Sequence, residues 1–146
     1  MKNAMKRVKA NDPNALCQMG VRCHEEGDCG KAVEYFKKAA GFGNVHGHYS
    51  LSIMYGEGEG VEKDMKKQLY HLEEAAIGGH PLARYNLGCH ELSNGSIGRA
   101  IKHHIIAANL GYDNSLDEVK KYFLKGLVSK EDFASALRGH QAAVDA

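Results

Sequence analysis

The 146-residue sequence contains no tryptophan and only two prolines, Pro13 and Pro81. Its net charge is +1, so it lacks the basic surplus that binds nucleic acid or an anionic membrane. No apolar run approaches the roughly 20 residues of a membrane-spanning helix, and the first seven residues lack the apolar core of a secretory signal. These absences predict an intracellular, cytoplasmic protein, with the nucleus as an alternative, that neither binds nucleic acid nor inserts into membranes.

The four cysteines show no disulfide pattern. Cys17 and Cys23 are six residues apart on one predicted helix and therefore point in different directions. Cys29 opens the next predicted helix, and Cys89 lies far along the chain. We expect reduced thiols that pack as small apolar groups, as in a reducing compartment.

What the sequence does contain is a repeated pair of phrases. Ala-Arg-Tyr-Asn-Leu-Gly at 83–88 has earlier versions that end near Gly20 and Ser52. About twenty residues after each version comes a second phrase with paired alanines. Aligned positions are 32 or 36 residues apart, and a period in the thirties built from two helix-length phrases is typical of stacked helical arrays. The second phrases begin their alanine pairs at Ala39, Ala75 and Ala107.

The pattern predicts a single all-α domain built from helix pairs. We expect Asp12 to cap the first repeat helix, with Pro13 at its first position, and Asp28 and Ser129 to cap later helices. Ser115 with Glu118 matches a capping box, which predicts a helix start near residue 115. The predicted division is a basic arm or partial helix at 1–11, repeats at 12–43, 44–79 and 80–111, and a capping pair at 112–146.

Small residues at matched positions predict close helix packing. Gly20 and Gly88, with Ser52 in the same register, allow the two helices of a repeat to approach each other. The alanine pairs do the same from the second helix. The core beside them is predicted to be filled by Met19, Leu51 and Leu87.

Residues 47–79 carry a resemblance to a known family. Their Gly-Glu-Gly-Val-x-x-Asp loop and Glu-x-Ala-Ala-x-x-Gly close resemble a Sel-1-like repeat, and 83–111 and 15–43 are similar copies. The resemblance implies a right-handed α-solenoid of antiparallel helix pairs, related to tetratricopeptide repeats, with first helices lining the concave face. It also implies an adaptor or scaffold that binds a protein or peptide on that face.

By the register of such repeats, eight side chains of the first helices flank the groove and are the predicted partner contacts. Packing between repeats is the alternative role of each, and for the two tyrosines it is at least as well supported. The N-terminal end of the array, covered only by the basic arm, is the predicted surface for any self-association. The eight residues are Cys17, Val21, His24, Tyr49, Ile53, Arg84, Tyr85 and Cys89.

The sequence predicts no metal site, no cofactor and no enzyme activity. The chain has nine histidines, and metal-ligating residues are densest at 46–48, Cys89–His90 and His103–His104, but adjacent side chains on a helix face apart. Cys23, His24 and Cys29 lack a structural zinc spacing and a fourth ligand. The acidic loop 57–64 lacks the alternating ligands of a calcium loop, and there is no nucleophile or phosphate-binding motif.

Three other functions remain open. Residues 5–12 resemble the junction at which such an array follows a RING-like zinc module, which would make the chain a substrate-recruiting arm of a ubiquitin ligase. Some cysteine-rich proteins with similar repeats bind small molecules or act as hydrolases, but they place a disulfide across each helix pair, and this chain has no such pairing. The third alternative is a purely structural spacer.

Overall fold

The computed structural model describes residues 2–146, apart from the side chains of Lys2, Ala4, Val8 and Lys9. Met1, part of the predicted arm, lies outside the described residues. Regular structure within these residues is entirely α-helical, as predicted. The helices are α1 (Lys2–Lys9), α2 (Pro13–Glu25), α3 (Cys29–Gly41), α4 (Val45–Glu57), α5 (Met65–Ile77), α6 (Pro81–Ser93), α7 (Ile97–Asn109), α8 (Asp113–Leu124) and α9 (Lys130–Asp145).

Capping side chains begin most of these helices. The Asp12 carboxylate accepts a hydrogen bond from the Ala15 backbone N–H at 3.0 Å, and Pro13 occupies the first position, where its missing N–H costs nothing. Asp28 and Ser129 accept equivalent bonds at α3 and α9. The three predicted caps are therefore confirmed.

Successive pairs are joined by three residues, with a glycine in the middle of the connections before α4 and α8. Gly43 and Gly111 have φ of 81° and 91°, in the left-handed region that a Cβ disfavours. The next residue is already the N-cap of the following helix, Asn44 before α4 and Tyr112 before α8. Such short connections keep neighbouring helices antiparallel.

The chain divides into two compact units, Met1–Gly78 and Gly79–Ala146, which we call unit 1 and unit 2. In unit 1, α3 packs between α2 and α4, α4 packs on α5, and α1 lies against α2. The core of unit 1 includes the almost fully buried Leu16, Val33, Phe36 and Leu51. In α3 the apolar residues Ala32, Val33, Phe36, Ala39 and Ala40 recur at helical spacing and are buried.

In unit 2, α6 packs on α7, and α7 contacts both helices of the last pair, α8 and α9. Its core is formed by small and medium side chains together with one histidine. The fully buried members are Ala83, Ala100, His104, Ala107, Ala108, Ser115 and Val119.

In α2, α4 and α6 the eighth residue is small, and in α2 and α6 a ring of the second helix points at it. A Cβ on Gly20 would lie 2.6 Å from the Phe36 ring, and a Cβ on Gly88 would lie 2.6 Å from Nε2 of His104. Real Cβ atoms are not found at such distances, so the predicted role of these glycines is confirmed. Ser52 holds this position in α4, and its hydroxyl donates to the Tyr49 carbonyl at 2.6 Å.

The predicted capping box at Ser115 is wrong. Helix α8 begins two residues earlier, at Asp113, and Ser115 is its third residue, fully buried. The register of the array outweighs the local capping preference, because the turn at Gly111 already fixes the helix start. The third positions of the first helices are all small and buried: Ala15, Gly47, Ala83 and Ser115.

Candidate partner-binding groove

A groove separates the first helices of two successive pairs in unit 1. Both α2 and α4 pack against α3, which lies behind the space between them. Since α2 and α4 are held apart by this arrangement, the face that they share carries an open channel. We call it the α2–α4 groove.

Two adjoining cavities form the α2–α4 groove, with volumes of about 190 and 520 Å³. Val21 from α2 and Ser50 from α4 line both cavities, so one side chain from each helix lies at the boundary between the two cavities. The smaller cavity has the buried Phe36 and Met54 in its wall and is mainly apolar. The larger one extends toward α1 and has more polar side chains.

Five of the eight predicted contacts lie around this groove. Val21 is 44% exposed and Ile53 is 40% exposed, so both offer apolar surface to a ligand. Tyr49 is half-buried in the wall of the larger cavity. Cys17 also lines that cavity but is 9% exposed, and burial raises the pKa of its thiol. His24 lies at the far end of the smaller cavity.

The rim of the larger cavity is polar and largely neutral. The Asn44 side-chain amide donates to the side-chain oxygen Oδ1 of Asn14 at 3.1 Å, which ties the starts of α4 and α2 together. The Arg7 guanidinium forms an ion pair with Asp12 at 2.9 Å. Gln18 and His46 complete this rim.

The other three predicted residues lie in unit 2 and contact their own unit. The Tyr85 ring lies 5.2 Å from the His104 ring and 5.1 Å from the Tyr112 ring, centroid to centroid. A hydrogen bond with Cys89, together with partial burial, raises the pKa of Tyr85 to about 12. Arg84 Nη1 lies 3.3 Å from Nδ1 of His103. These contacts agree with the alternative role of packing between helices.

Sequence reasoning missed a histidine pair inside unit 1. Nδ1 of the buried His48 lies 3.0 Å from Nδ1 of His71, so one ring donates its N–H to the other. His71 also stacks on Tyr55 at a centroid distance of 5.7 Å. Burial, followed by the charges of His48 and Lys67, lowers the pKa of His71 to about 4, and burial also lowers the pKa of His48.

Sequence reasoning also missed a partner of His24. The loop after α4 brings Glu59 to His24, with Oε2 2.8 Å from Nε2, and Cys29 lies beside them. The sequence argument against a metal at Cys23, His24 and Cys29 compared near neighbours only, and Glu59 is 35 residues from His24. No local signal in the sequence indicates this contact.

The described residues hold four free cysteines, in agreement with the expected reduced thiols. Among the same residues, no helix combines the length and the apolar character needed to cross a bilayer.

Curated proteins show partial similarity to the chain. A segment of 56 residues is 38% identical to a Helicobacter pylori protein named "Putative beta-lactamase HcpC", and covers 38% of this chain and 19% of that protein. HcpC from a second strain is 36% identical over 52 residues, with 36% of this chain and 18% of that protein covered. The match thus spans about a fifth of the length of these relatives.

Two solved structures share the fold over nearly the whole chain. The antigen c5321 of uropathogenic Escherichia coli, which displays an SLR fold, aligns with 99% of this chain and 32% of its own at a TM-score of 0.79 and 23% identity. A Sel1 repeat protein from Oxalobacter formigenes aligns with 99% of this chain and 62% of its own at a TM-score of 0.78 and 26% identity. The predicted fold class, an α-solenoid of antiparallel helix pairs, is confirmed.

A sequence profile of the Sel1 repeat matches residues 13–41, 45–80 and 81–112, which correspond to the pairs α2–α3, α4–α5 and α6–α7. These three segments make up well over half of the sequence, and the chain therefore belongs to the Sel1 repeat family.

Proposed function

We propose that this chain is a protein-interaction module that binds a peptide or a single helix of its partner in the α2–α4 groove. Repeat folds of this family generally act as interaction modules, and the groove supplies a specific surface for that role. The observation that carries the proposal is the exposure of Val21 and Ile53 on either side of one channel.

The energetics favour a ligand with an apolar anchor. Covering the exposed parts of Val21 and Ile53 contributes on the order of 1 kcal/mol per side chain. Tyr49 adds an aromatic ring with few rotatable bonds, a type enriched among residues that dominate binding energy. Because the groove is built on two helices held by α3, binding orders only side chains and little backbone.

The polar rim favours a ligand with hydrogen-bonding groups beside its anchor. Asn14, Gln18 and His46 line the larger cavity with hydrogen-bonding groups, and Arg7 is already paired with Asp12. A peptide backbone can exchange hydrogen bonds with such a rim, and the apolar anchor then enters the smaller cavity. The rim thus adds orientation and specificity to the anchor's affinity.

We also propose that the module has no catalytic activity of its own. The name of the HcpC relatives is a statement about those proteins, and their match covers only 38% of this chain. The four cysteines of this chain are free. The cysteine-rich repeat proteins for which hydrolase activity was considered above instead carry a disulfide across each helix pair. Measuring hydrolysis of a chromogenic β-lactam tests this proposal directly.

The binding proposal is tested by selecting peptides against the full chain from a displayed library and measuring the affinity of the best one by fluorescence anisotropy. Val21→Glu and Ile53→Glu should each weaken binding by about tenfold or more, because a carboxylate would be buried at the anchor site. Tyr49→Ala should weaken it to a lesser degree.

The matched control is Ile77→Glu, since Ile77 is 74% exposed at the end of α5 and does not line the groove. It should leave the affinity unchanged, with all folds checked by circular dichroism. Equal affinity for wild type and both groove variants would refute the proposed site. Failure to select any peptide would favour the spacer alternative.

A further inference from the structure

Three side chains of metal-binding type meet at one end of unit 1. His24 lies in the last turn of α2, Cys29 is the first residue of α3, and Glu59 belongs to the loop between α4 and α5. One ligand atom from each, the imidazole nitrogen, the thiol sulfur and a carboxylate oxygen, lie within 4.8 Å of one another. The shortest separation is 2.8 Å, between Nε2 of His24 and Oε2 of Glu59.

The backbone holds two of these residues, His24 and Cys29, close together. Between α2 and α3 the chain turns at Gly27, with φ of 85°, and Asp28 N–H donates to the Cys23 carbonyl at 2.8 Å. This tight turn places Cys29 only five residues after His24 and next to the end of α2. Cys29 is therefore held by secondary structure and not by a mobile loop.

The third residue is brought in by the long loop of the second repeat. Gly58 ends α4 with φ of 74°, and Gly60 follows with φ of 68°, so the chain bends sharply on both sides of Glu59. A Cβ on Gly60 would collide with the carbonyl oxygen of Cys29. The loop therefore passes directly against the backbone of Cys29, which holds Glu59 beside the other two residues.

A second carboxyl group, that of Glu57, lies beside Glu59. Glu57 and Glu59 share a side-chain hydrogen bond, which together with the Glu59 charge raises the pKa of Glu57. The same bond, followed by the bond to His24, lowers the pKa of Glu59.

We propose that His24, Cys29 and Glu59 bind a zinc ion. Imidazole, thiolate and carboxylate are the three protein ligand types of Zn²⁺, whereas calcium and magnesium sites are built from oxygen ligands alone. Bond lengths of about 2.0–2.3 Å place tetrahedral ligand atoms roughly 3.3–3.8 Å apart. The widest separation needs to contract by at most about 1 Å, and the His24–Glu59 separation of 2.8 Å needs to widen by about 0.5–1 Å, which partly exposed side chains can do by small rotations.

Binding exchanges protons for the metal. The ion displaces the proton between His24 Nε2 and Glu59, which passes to Nδ1 of a neutral imidazole or to solvent from a charged one, and the Cys29 thiol releases its proton to solvent as it becomes a thiolate ligand. Three protein ligands leave the fourth tetrahedral position to water or to a ligand group from outside the chain. His24 also lines the smaller cavity of the α2–α4 groove, so the ion lies at the end of that groove. The zinc proposal does not depend on peptide binding there.

Titration of the full-length reduced chain with zinc chloride in a calorimeter tests the proposal. We expect saturation at about one equivalent, with affinity lowered about tenfold or more by Cys29→Ser, His24→Gln and Glu59→Gln. The matched controls are Cys89→Ser and His90→Gln, the neighbouring Cys–His pair of unit 2. They should leave the affinity unchanged.

Cobalt identifies the ligands independently of affinity. Co²⁺ bound to wild type should show a thiolate-to-metal charge-transfer absorption that Cys29→Ser abolishes and Cys89→Ser retains. Zinc should also raise the melting temperature of wild type and not that of Cys29→Ser, because binding to the folded state alone stabilises it. All variants are at exposed or half-exposed positions, and circular dichroism confirms that they fold.

Two results would overturn the proposal. One is the absence of saturable zinc binding by the reduced wild-type chain. The other is saturable binding that is unchanged by the three site variants, or that is lost in the Cys89 and His90 controls, which would place the ion elsewhere.

Discussion

The pair α2–α3 of unit 1 and the pair α6–α7 of unit 2 make the same packing contact between a glycine and a ring, but the ring differs in its chemistry. In both pairs a glycine at the eighth position of the first helix faces the eighth residue of the second. That residue is Phe36 in α3 and His104 in α7, and both are buried. The position therefore requires a flat ring of suitable size, and an apolar ring is not required for the helices to pair.

The two units differ in how they satisfy buried polar groups. In unit 1, the buried His48 is paired with His71, and the Ser52 hydroxyl with a carbonyl of its own helix. In unit 2, both ring nitrogens of His104, the Ser115 hydroxyl and the Tyr122 hydroxyl are buried without a hydrogen-bond partner. Each such group costs about 1–3 kcal/mol. Unit 2 is therefore expected to be the less stable half of the chain.

The largest expected effect on stability comes from removing the buried ring in each unit. Phe36→Ala should destabilise the chain by about 3–5 kcal/mol, because it removes a buried aromatic side chain and leaves a cavity. His104→Ala should cost only about 1–2 kcal/mol, since the lost packing is offset by removal of two unpaired nitrogens. Urea denaturation followed by circular dichroism measures both values.

The control for these two alanine variants is His104→Phe. It gives α7 of unit 2 the same phenylalanine ring that α3 of unit 1 carries at the equivalent position. It should increase the free energy of unfolding by about 1–2 kcal/mol, because the ring still faces a glycine and no longer buries unpaired nitrogens. A marked loss of stability would mean that His104 has a favourable partner, such as a trapped water molecule.

A smaller effect is expected from the glycine side of the contact. Gly88→Val should destabilise by about 1–3 kcal/mol, because its Cβ would overlap the His104 ring. Gly98→Ala is the matched control, since a Cβ at Gly98 in α7 meets nothing within 4 Å and its φ is ordinary. The control should be neutral or stabilising by up to about 1 kcal/mol. Similar losses for the two variants would show that helix propensity, and not ring contact, explains the glycines.

The smallest expected effect is on pH dependence. The pKa of His71 is lowered from 6.5 to about 4 in the folded chain, so the unfolded chain binds more protons between these values. Stability should therefore fall as the pH falls from about 7 to 4, by on the order of 1 kcal/mol after allowance for partial exposure. The measurement is the urea midpoint as a function of pH.

The variant that checks the source of this dependence is His71→Phe, which keeps a ring against Tyr55 but cannot take up a proton. It should flatten the curve in that pH range, and His90→Gln, at an exposed histidine of unit 2, should not. An unchanged slope in His71→Phe would assign the acid sensitivity to other groups, first among them His48 and His104, whose pKa values are also lowered by burial.

Much of the fold was predictable because the repeated phrases fix the register of the helices. The predicted caps at Asp12, Asp28 and Ser129 are the observed ones. The error at Ser115 has the same origin, since a local capping signal was preferred to the register set by Gly111.

The register also placed Cys17, Val21, His24, Tyr49 and Ile53 around one groove. It could not reveal contacts that depend on the path of a loop. Glu59 reaches His24 only because Gly58 and Gly60 adopt positive φ, and a sequence does not show where such a loop docks. The pairing of His48 with His71 likewise joins two helices at ring positions that periodicity does not distinguish from other buried sites.

The most direct test of the account is to map, by amide chemical-shift perturbation, where a selected peptide binds the isotope-labelled full chain. The account predicts that the largest shifts occur on α2 and α4 around Val21, Ser50 and Ile53. Shifts confined to α3 and α5, or to unit 2, would contradict it, because they would place the binding surface away from the groove between the first helices.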